Sequence, residues 1–405
     1  MSRCLAISAR ALAWFLVLSS PALAAGVSEE VVSFTTRDNL PIQCILSYPS
    51  EAPGPFPGML LIPGSGLHDA DVSLDVPILE ITQGPQFLFR SLARYFSRHG
   101  WAVQRCNKRG ASFDHAEDRP AILENATLED LTEDARLALV ALHGHPRVVA
   151  SPLVVVGHSE GSLVATRLAQ SNPDIDLLVL MGSVARRMDA LIEYQLVDRN
   201  LDFLRQAADA NGDGNLTLDE LNLLDGNSGL GSVYVFNSAG ILFRFKQSEG
   251  GDTVIDGFNT QTDANGNGRL HITREIEPAL RREASRFLEM AADGSLGPYW
   301  RSLVNTESPA SQIHRVDTRI LFVHGALDVQ TPVDEPLAMM ARLESRGRTN
   351  YDVLFFPTLG HSLSPPNDFY RRDGGLTILD NLTLNAPRAK IRRLLLERIE
   401  ANLAH

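Results

Sequence analysis

Gly157-His158-Ser159-Glu160-Gly161 follows the apolar run Leu153-Val154-Val155-Val156 directly and precedes SLVATRLAQ, a helical pattern. A serine in a G-x-S-x-G stretch between a buried strand and a helix sits on a tight, strained turn. Its hydroxyl is presented at the edge of a sheet, and the flanking glycines leave room for the bend. A neutral serine is a poor nucleophile and needs a base to take its proton, and the base needs a carboxylate to fix its tautomer. Two late strands end next to such groups: ILFVHG runs into Ala326-Leu327-Asp328, and LFFPTLG runs into His361. Asp334 lies farther past its strand and Asp352 precedes one, so Asp328 is the expected acid. His324 is still within its strand, His158 occupies a variable elbow position and His68 lies in an early loop, which favours His361 as the base. Acyl transfer also needs two backbone N–H donors aimed at the developing oxyanion. Glu160, next after the serine, is expected to give one, and Ser65 in Pro63-Gly64-Ser65-Gly66 the other.

A second pattern has metal-ligating spacing. Asp209 to Glu220 reads DANGDGNLTLDE. Asp209, Asn211, Asp213 and Glu220 fall at positions 1, 3, 5 and 12 of a calcium loop. Gly214 makes the sharp turn, Asn215 offers its backbone carbonyl and Thr217 stands at position 9. Asp263 to Arg274, DANGNGRLHITR, keeps Asp263, Asn265, Asn267 and Gly268, with Arg269 at position 7. Position 12 is Arg274, so this second site is expected to be weak or empty unless Glu275 reaches in after a one-residue shift. The two loops are expected to pair through Leu216 and Leu270. A structural or regulatory Ca2+ is the expected cofactor, with no organic cofactor and no chemistry for the metal.

Alternating elements position these groups. VVSFTTRDNLPIQCILSYPS reads as a hairpin, GMLLIPGSG as a strand ending in glycines, and FLFRSLARYFSRHG as a helix stopped at Gly100. WAVQRC, LEDLTEDARLALVALHGH, SPLVVVGHSEG, SLVATRLAQ and DLLVLMG continue strand, helix, strand, helix, strand. After a long break the pattern resumes with RILFVHG, YDVLFFP and a basic amphipathic helix. This predicts an α/β core in two parts, 25–184 and 318–405, around a mostly helical cap insertion, 185–317, that carries both EF-hand-like loops.

Besides GHSEG, the stretches LLIPGSGLHDAD, CNKRGAS, YWRSLVNTESPA, HGALDVQTP and FPTLGHSLS resemble, in the same order, segments of the bacterial α/β-hydrolase branch related to dienelactone hydrolases and exported esterases. The resemblance implies an α/β-hydrolase fold with a mainly parallel eight-stranded sheet flanked by helices. It also implies hydrolysis of a small carboxylic ester or thioester by the triad Ser159, Asp328 and His361. Pro63 stands where a histidine is common, and the segment after the sixth strand is longer than usual; these departures bear on the oxyanion loop and the substrate. Lys108-Arg109-Gly110 matches the family's turn and reads as a structural ion pair, while Tyr299 and Trp300 read as pocket lining or as buried packing. A peptidase of the same fold, or a calcium-dependent binding protein with an idle triad, would use the same residues differently.

Residues 1–24 place Arg3 and Arg10 ahead of the apolar run Ala11 to Leu18 and end in Ala22-Leu23-Ala24, the form of a cleaved export signal. Export to the periplasm or beyond is therefore expected, with no membrane span after cleavage. Composition is that of a globular chain, 44% hydrophobic and 21% charged. A net charge of −12 disfavours nucleic acid and anionic membrane as partners, and no protein partner is expected. Past the leader only Cys44 and Cys106 remain, either bridged or two buried thiols.

Overall fold

Strands β1 (Val27–Thr35) and β2 (Pro41–Pro49) form the expected hairpin, turning at Thr36–Leu40 with Asn39 at φ 62°. The computed structural model describes residues 26–73, 87–220, 242–247, 253–258, 262–364 and 387–404; the expected leader lies outside them. Next in order come β3 (Phe56–Ile62), β4 (Ala102–Cys106), β5 (Val148–His158) and β6 (Leu177–Met181). The insertion then holds β7 (Asn215–Thr217), β8 (Leu242–Gln247), β9 (Thr253–Phe258) and β10 (Arg269–His271). The core resumes with β11 (Arg319–Gly325) and β12 (Tyr351–Phe356).

Eight strands join in the order β1-β2-β4-β3-β5-β6-β11-β12. Only β2 runs against its neighbours β1 and β4; every other adjacent pair is parallel. Strands buried on both faces read as continuous apolar runs, because successive side chains enter opposite cores. Leu60, Ile62, Leu153, Val155, Leu178 and Phe322 pack on one face, against the helices Leu128–His143 and Gly161–Ser171. Met59, Leu61, Val154, Val156, Val179 and Leu321 pack on the other, against Leu88–Arg98 and Ala389–Leu403. A capping box at Thr127 and Asp130 starts the first of these helices, and Gly100, at φ 94°, follows Leu88–Arg98.

The insertion builds its own core from Val197, Leu201, Leu204, Leu216, Leu270, Ile276 and Leu280. It is not all helix. Strands β7 and β10 pair antiparallel with Leu216 opposite Leu270, as expected, and β8 pairs with β9 in a hairpin the sequence reading lacked. Cys44 and Cys106 stand opposite each other on β2 and β4 and form a disulfide. Among the described residues no helix is long and apolar enough to cross a membrane.

Because β4 and β5 flank β3 on opposite sides, the strand order reverses at β3, the place where open sheets of this kind bind ligands beyond the carboxyl ends of their strands. Ile62 is in register with Gly157, so the loops after these two strands are neighbours.

Candidate active site

Ser159 stands directly beyond β5 with φ 55°, a positive value that a side-chain-bearing residue holds only under constraint from its surroundings. The constraint is steric. A Cβ at Gly157 would press on the Gly161 carbonyl and on Ala165 Cβ at 2.7 Å, and one at Gly161 would lie 2.6 Å from the Pro63 carbonyl oxygen. The Ser159 N–H donates to the Met181 carbonyl at 2.9 Å, which ties the elbow to the end of β6. Ser159 itself remains partly exposed.

Asp328 and His361, 33 residues apart, meet past β11 and β12 with Nδ1 2.7 Å from Oδ2. A ring nitrogen facing a carboxylate carries the proton, which leaves Nε2 as the acceptor. The carboxylate is held on both oxygens. Oδ1 accepts from the N–H groups of Gln330 at 2.8 Å and Thr331 at 2.9 Å, and Oδ2 accepts from the Thr331 hydroxyl at 2.8 Å. Burial works to raise the Asp328 pKa, but the charge and hydrogen bond of His361 and these donors outweigh it and bring it down to about 2. Asp328 is therefore held as the carboxylate at neutral pH. The rival acids are engaged elsewhere: Asp352 accepts from Arg398 at 2.6 Å and Asn402 at 2.9 Å, and Asp334 opens the helix Asp334–Glu344.

The loop after β3 packs on the elbow, since a Cβ on Gly64 would lie 3.0 Å from Ser159 Cβ. Among the described residues, neither the Ser65 N–H nor the Glu160 N–H has an acceptor. Both expected oxyanion donors are thus unspent. Lys108 Nζ donates to the Gly64 carbonyl at 2.9 Å and to Glu160 Oε1 at 2.8 Å, while Arg109 pairs with Asp134 and Asp38. Tyr299 is buried, and its hydroxyl donates to Glu160 Oε2. Burial, then the Glu160 charge, pushes its pKa well above the ordinary value. Trp300 packs edge-on against Phe287 of the insertion, so Trp300 serves packing while Tyr299 holds Glu160.

The two glycine-rich loops of the insertion adopt the same backbone pattern. Asp209 accepts from the N–H groups of Asp213 and Gly214, as Asp263 does from Asn267 and Gly268. Glu220 folds back to accept from the Ala210 N–H at 3.2 Å and the Thr217 N–H at 3.0 Å. In the second loop Glu275, not Arg274, takes that place, accepting from the His271 N–H at 2.8 Å and from Asn265 Nδ2 at 3.0 Å. A π-helical turn at Ile272–Ile276 absorbs the extra residue, because its wider winding carries one more residue per turn. Among the described residues no three His, Cys, Asp or Glu side chains form a preformed metal cluster. The loop carboxylates are instead turned onto their own amides, and the remaining ligand positions are Asn, Thr and backbone.

Comparison with known proteins places family models on both halves of this site. The model described as "Serine aminopeptidase, S33" matches residues 87–206, which hold Ser159. The model described as "Prolyl oligopeptidase family" matches residues 292–373, which hold Asp328 and His361. The chain has the α/β-hydrolase fold. Esterase EstD of Thermotoga maritima is 27% identical over 143 residues, 35% of this chain and 31% of that one, so the match spans about a third of the relative's length. Among solved structures, a protein assigned as a dienelactone hydrolase from Klebsiella pneumoniae is similar at TM-score 0.46 and 11% identity, covering 94% of this chain and 99% of its own. Acylaminoacyl peptidase of Pyrococcus horikoshii is similar at TM-score 0.49 and 12% identity, covering 97% of this chain and 43% of that one.

This fold places several residues at the site that sequence reasoning missed. Thr331 holds Asp328, and its only sequence signal is a hydroxyl three residues past the acid. His158 Nε2 donates to the His361 carbonyl at 3.2 Å, with the two rings 4.7 Å apart. Burial, then the neighbouring His361 charge, pushes the His158 pKa down to about 3, so it stays a neutral donor. Glu335 accepts from the Ala185 and Arg186 N–H groups and shapes the loop after β6. These contacts span 149 to 203 residues for His158 and Glu335, and no local pattern encodes them.

Proposed function

We propose that this hydrolase is exported and cleaves carboxylic esters or thioesters through an acyl-enzyme. Ser159 attacks the carbonyl carbon, His361 Nε2 takes its proton and returns it to the leaving group, and Asp328 orients the imidazole and stabilises its charged form. The N–H groups of Ser65 and Glu160 hold the oxyanion. Water then repeats the sequence to release the acid. The observation that carries this reading is the Asp328–His361 hydrogen bond at the same sheet edge as a positive-φ Ser159. The likeness to an esterase supports ester chemistry, and the apolar leader with the Cys44–Cys106 bridge supports export.

A fluorophosphonate probe should label the mature protein at Ser159, with labelling and p-nitrophenyl ester hydrolysis both lost in Ser159→Ala. Undiminished labelling of that variant would remove Ser159 from the mechanism. Both family descriptions name peptidases, which favours an amide substrate as the second reading. Turnover of aminoacyl p-nitroanilides faster than that of the matching esters would decide for it; absence of any turnover would leave an idle, calcium-dependent binding protein.

Calcium is the proposed cofactor of the insertion, where Asp209, Asn211, Asp213, the Asn215 carbonyl, Thr217 and Glu220 would hold it. Loop two would use Asp263, Asn265, Asn267, the Arg269 carbonyl and Glu275. Bound calcium would neutralise carboxylates crowded into one turn and brace the β7–β10 pair. Gln195 and Arg199 of the insertion bond Gln330, two residues past Asp328, so bracing the insertion also steadies the acid loop. At millimolar calcium and a dissociation constant of ~0.1 mM, binding linkage contributes about 1–2 kcal/mol. Chelation should therefore lower Tm by a few degrees and reduce activity, and Glu220→Gln should abolish most of the calcium-dependent shift. Identical melting curves with calcium and with chelator would refute the site.

A further inference from the structure

Beside the elbow lies a buried charged pair, Lys108 and Glu160, with no part in proton transfer. We propose that Lys108 is a positioning residue for the oxyanion hole, holding through one ammonium group the peptide unit that supplies one donor and the side chain of the residue that supplies the other. The inference rests on the serine-hydrolase reading above and concerns how its hole is set.

The Gly64 carbonyl and the Ser65 N–H belong to one rigid, planar amide and lie on its opposite edges. A hydrogen bond from Lys108 Nζ to that carbonyl therefore fixes the direction of the Ser65 N–H. It also polarises the amide, and a cation on the oxygen strengthens the N–H as a donor. The same nitrogen pairs with Glu160, whose backbone N–H is the second donor, so the two donors share one anchor. Tyr299 closes the set from the helix Pro298–Val304, at the end of the insertion, by donating to the other Glu160 oxygen.

Lys108 is itself well placed. It lies two residues past Cys106, whose disulfide ties β4 to β2, and its own N–H donates to the His68 carbonyl at 2.9 Å. Asn107 Oδ1 accepts from the Ala70 N–H at 2.8 Å, so the loop after β3 is bound along both residues. Lys108 and Glu160 are 8% and 2% exposed. A buried pair of this kind adds little net stability against hydrophobic replacements. Its geometric effect on the Gly64–Ser65 amide and on the Glu160 side chain is the larger consequence.

The test compares wild type, Ser159→Ala, Lys108→Met and the double variant Lys108→Met/Glu160→Gln, which leaves no unpaired buried charge. Each is assayed for kcat and KM on a p-nitrophenyl ester and for inhibition by a trifluoromethyl ketone, whose serine adduct carries an oxyanion. The expected result is a fall in kcat of about 10²-fold in both Lys108 variants, with KM within about threefold and ketone affinity weakened in parallel. A folded Lys108 variant with near-wild-type kcat, or a loss carried by KM alone, would overturn the inference. Failure of the double variant to fold would assign the pair to stability and overturn it as well. An inactive wild type, or an active Ser159→Ala, is a separate failure: it sinks the serine-hydrolase reading and takes this inference with it.

Discussion

Asp328→Asn is expected to lower kcat for ester hydrolysis by about 10⁴-fold while leaving KM and the fold nearly unchanged. Both Asp328 oxygens face donors: two backbone N–H groups on Oδ1, and the His361 ring and Thr331 hydroxyl on Oδ2. An asparagine must turn its NH2 toward one of these sets. Facing the backbone pair would leave fixed N–H groups without an acceptor, whereas the imidazole can respond by moving its proton. The amide therefore turns toward His361, Nδ1 becomes an acceptor and Nε2 becomes protonated. That tautomer cannot take a proton from Ser159. The rival acid provides the control, since Asp352 is engaged by Arg398 and Asn402, and Asp352→Asn should keep kcat within a few fold of wild type. A loss below about tenfold in Asp328→Asn, with the variant folded, would take Asp328 out of the mechanism.

The core and the placement of Ser159, Asp328 and His361 just past strand ends were legible because their signals are local. Apolar runs that feed both faces of a sheet, a glycine-flanked serine, and an acid and a histidine just past strand ends can each be read within ten residues. The calcium-loop spacing is equally local, and the β7–β10 pairing follows from Leu216 and Leu270 standing at equivalent loop positions. What escaped is tertiary. Glu160 reads as an ordinary elbow residue until Tyr299, 139 positions away, closes over it, and His158 looks variable until β12 brings His361 alongside. The insertion was least legible because its elements are short. The β8–β9 hairpin and the π-helical turn at Ile272–Ile276 lie in stretches whose periodicity fits no single template. The shift to Glu275 was open from sequence, and the winding of that turn accounts for it.

Acid should weaken the fold well before Asp328 is protonated, and His158 is the reason. Its ring is 2% exposed, and burial, then the neighbouring His361 charge, pushes its pKa from 6.5 down to about 3. The unfolded chain takes up this proton near the ordinary value while the folded one refuses it. Stability is therefore whole above about pH 6.5 and falls by about 1.4 kcal/mol per unit of pH toward 3, on the order of 3–5 kcal/mol in all. His68, pushed down to about 4 by burial and by the Lys108 charge, acts in the same direction, less strongly because the residue is partly exposed. Asp328 joins only below its unfolded value of 3.8, and Glu29, brought to about 2 by Arg94 and Arg105 against its burial, below 4.5. Urea unfolding midpoints at pH 7.5, 6.0 and 5.0 should fall steadily, and His158→Gln should flatten that decline, since its amide can still donate to the His361 carbonyl. A midpoint constant from pH 7.5 to 5.0 in the wild type would mean that His158 does not enter the fold as a neutral, excluded base.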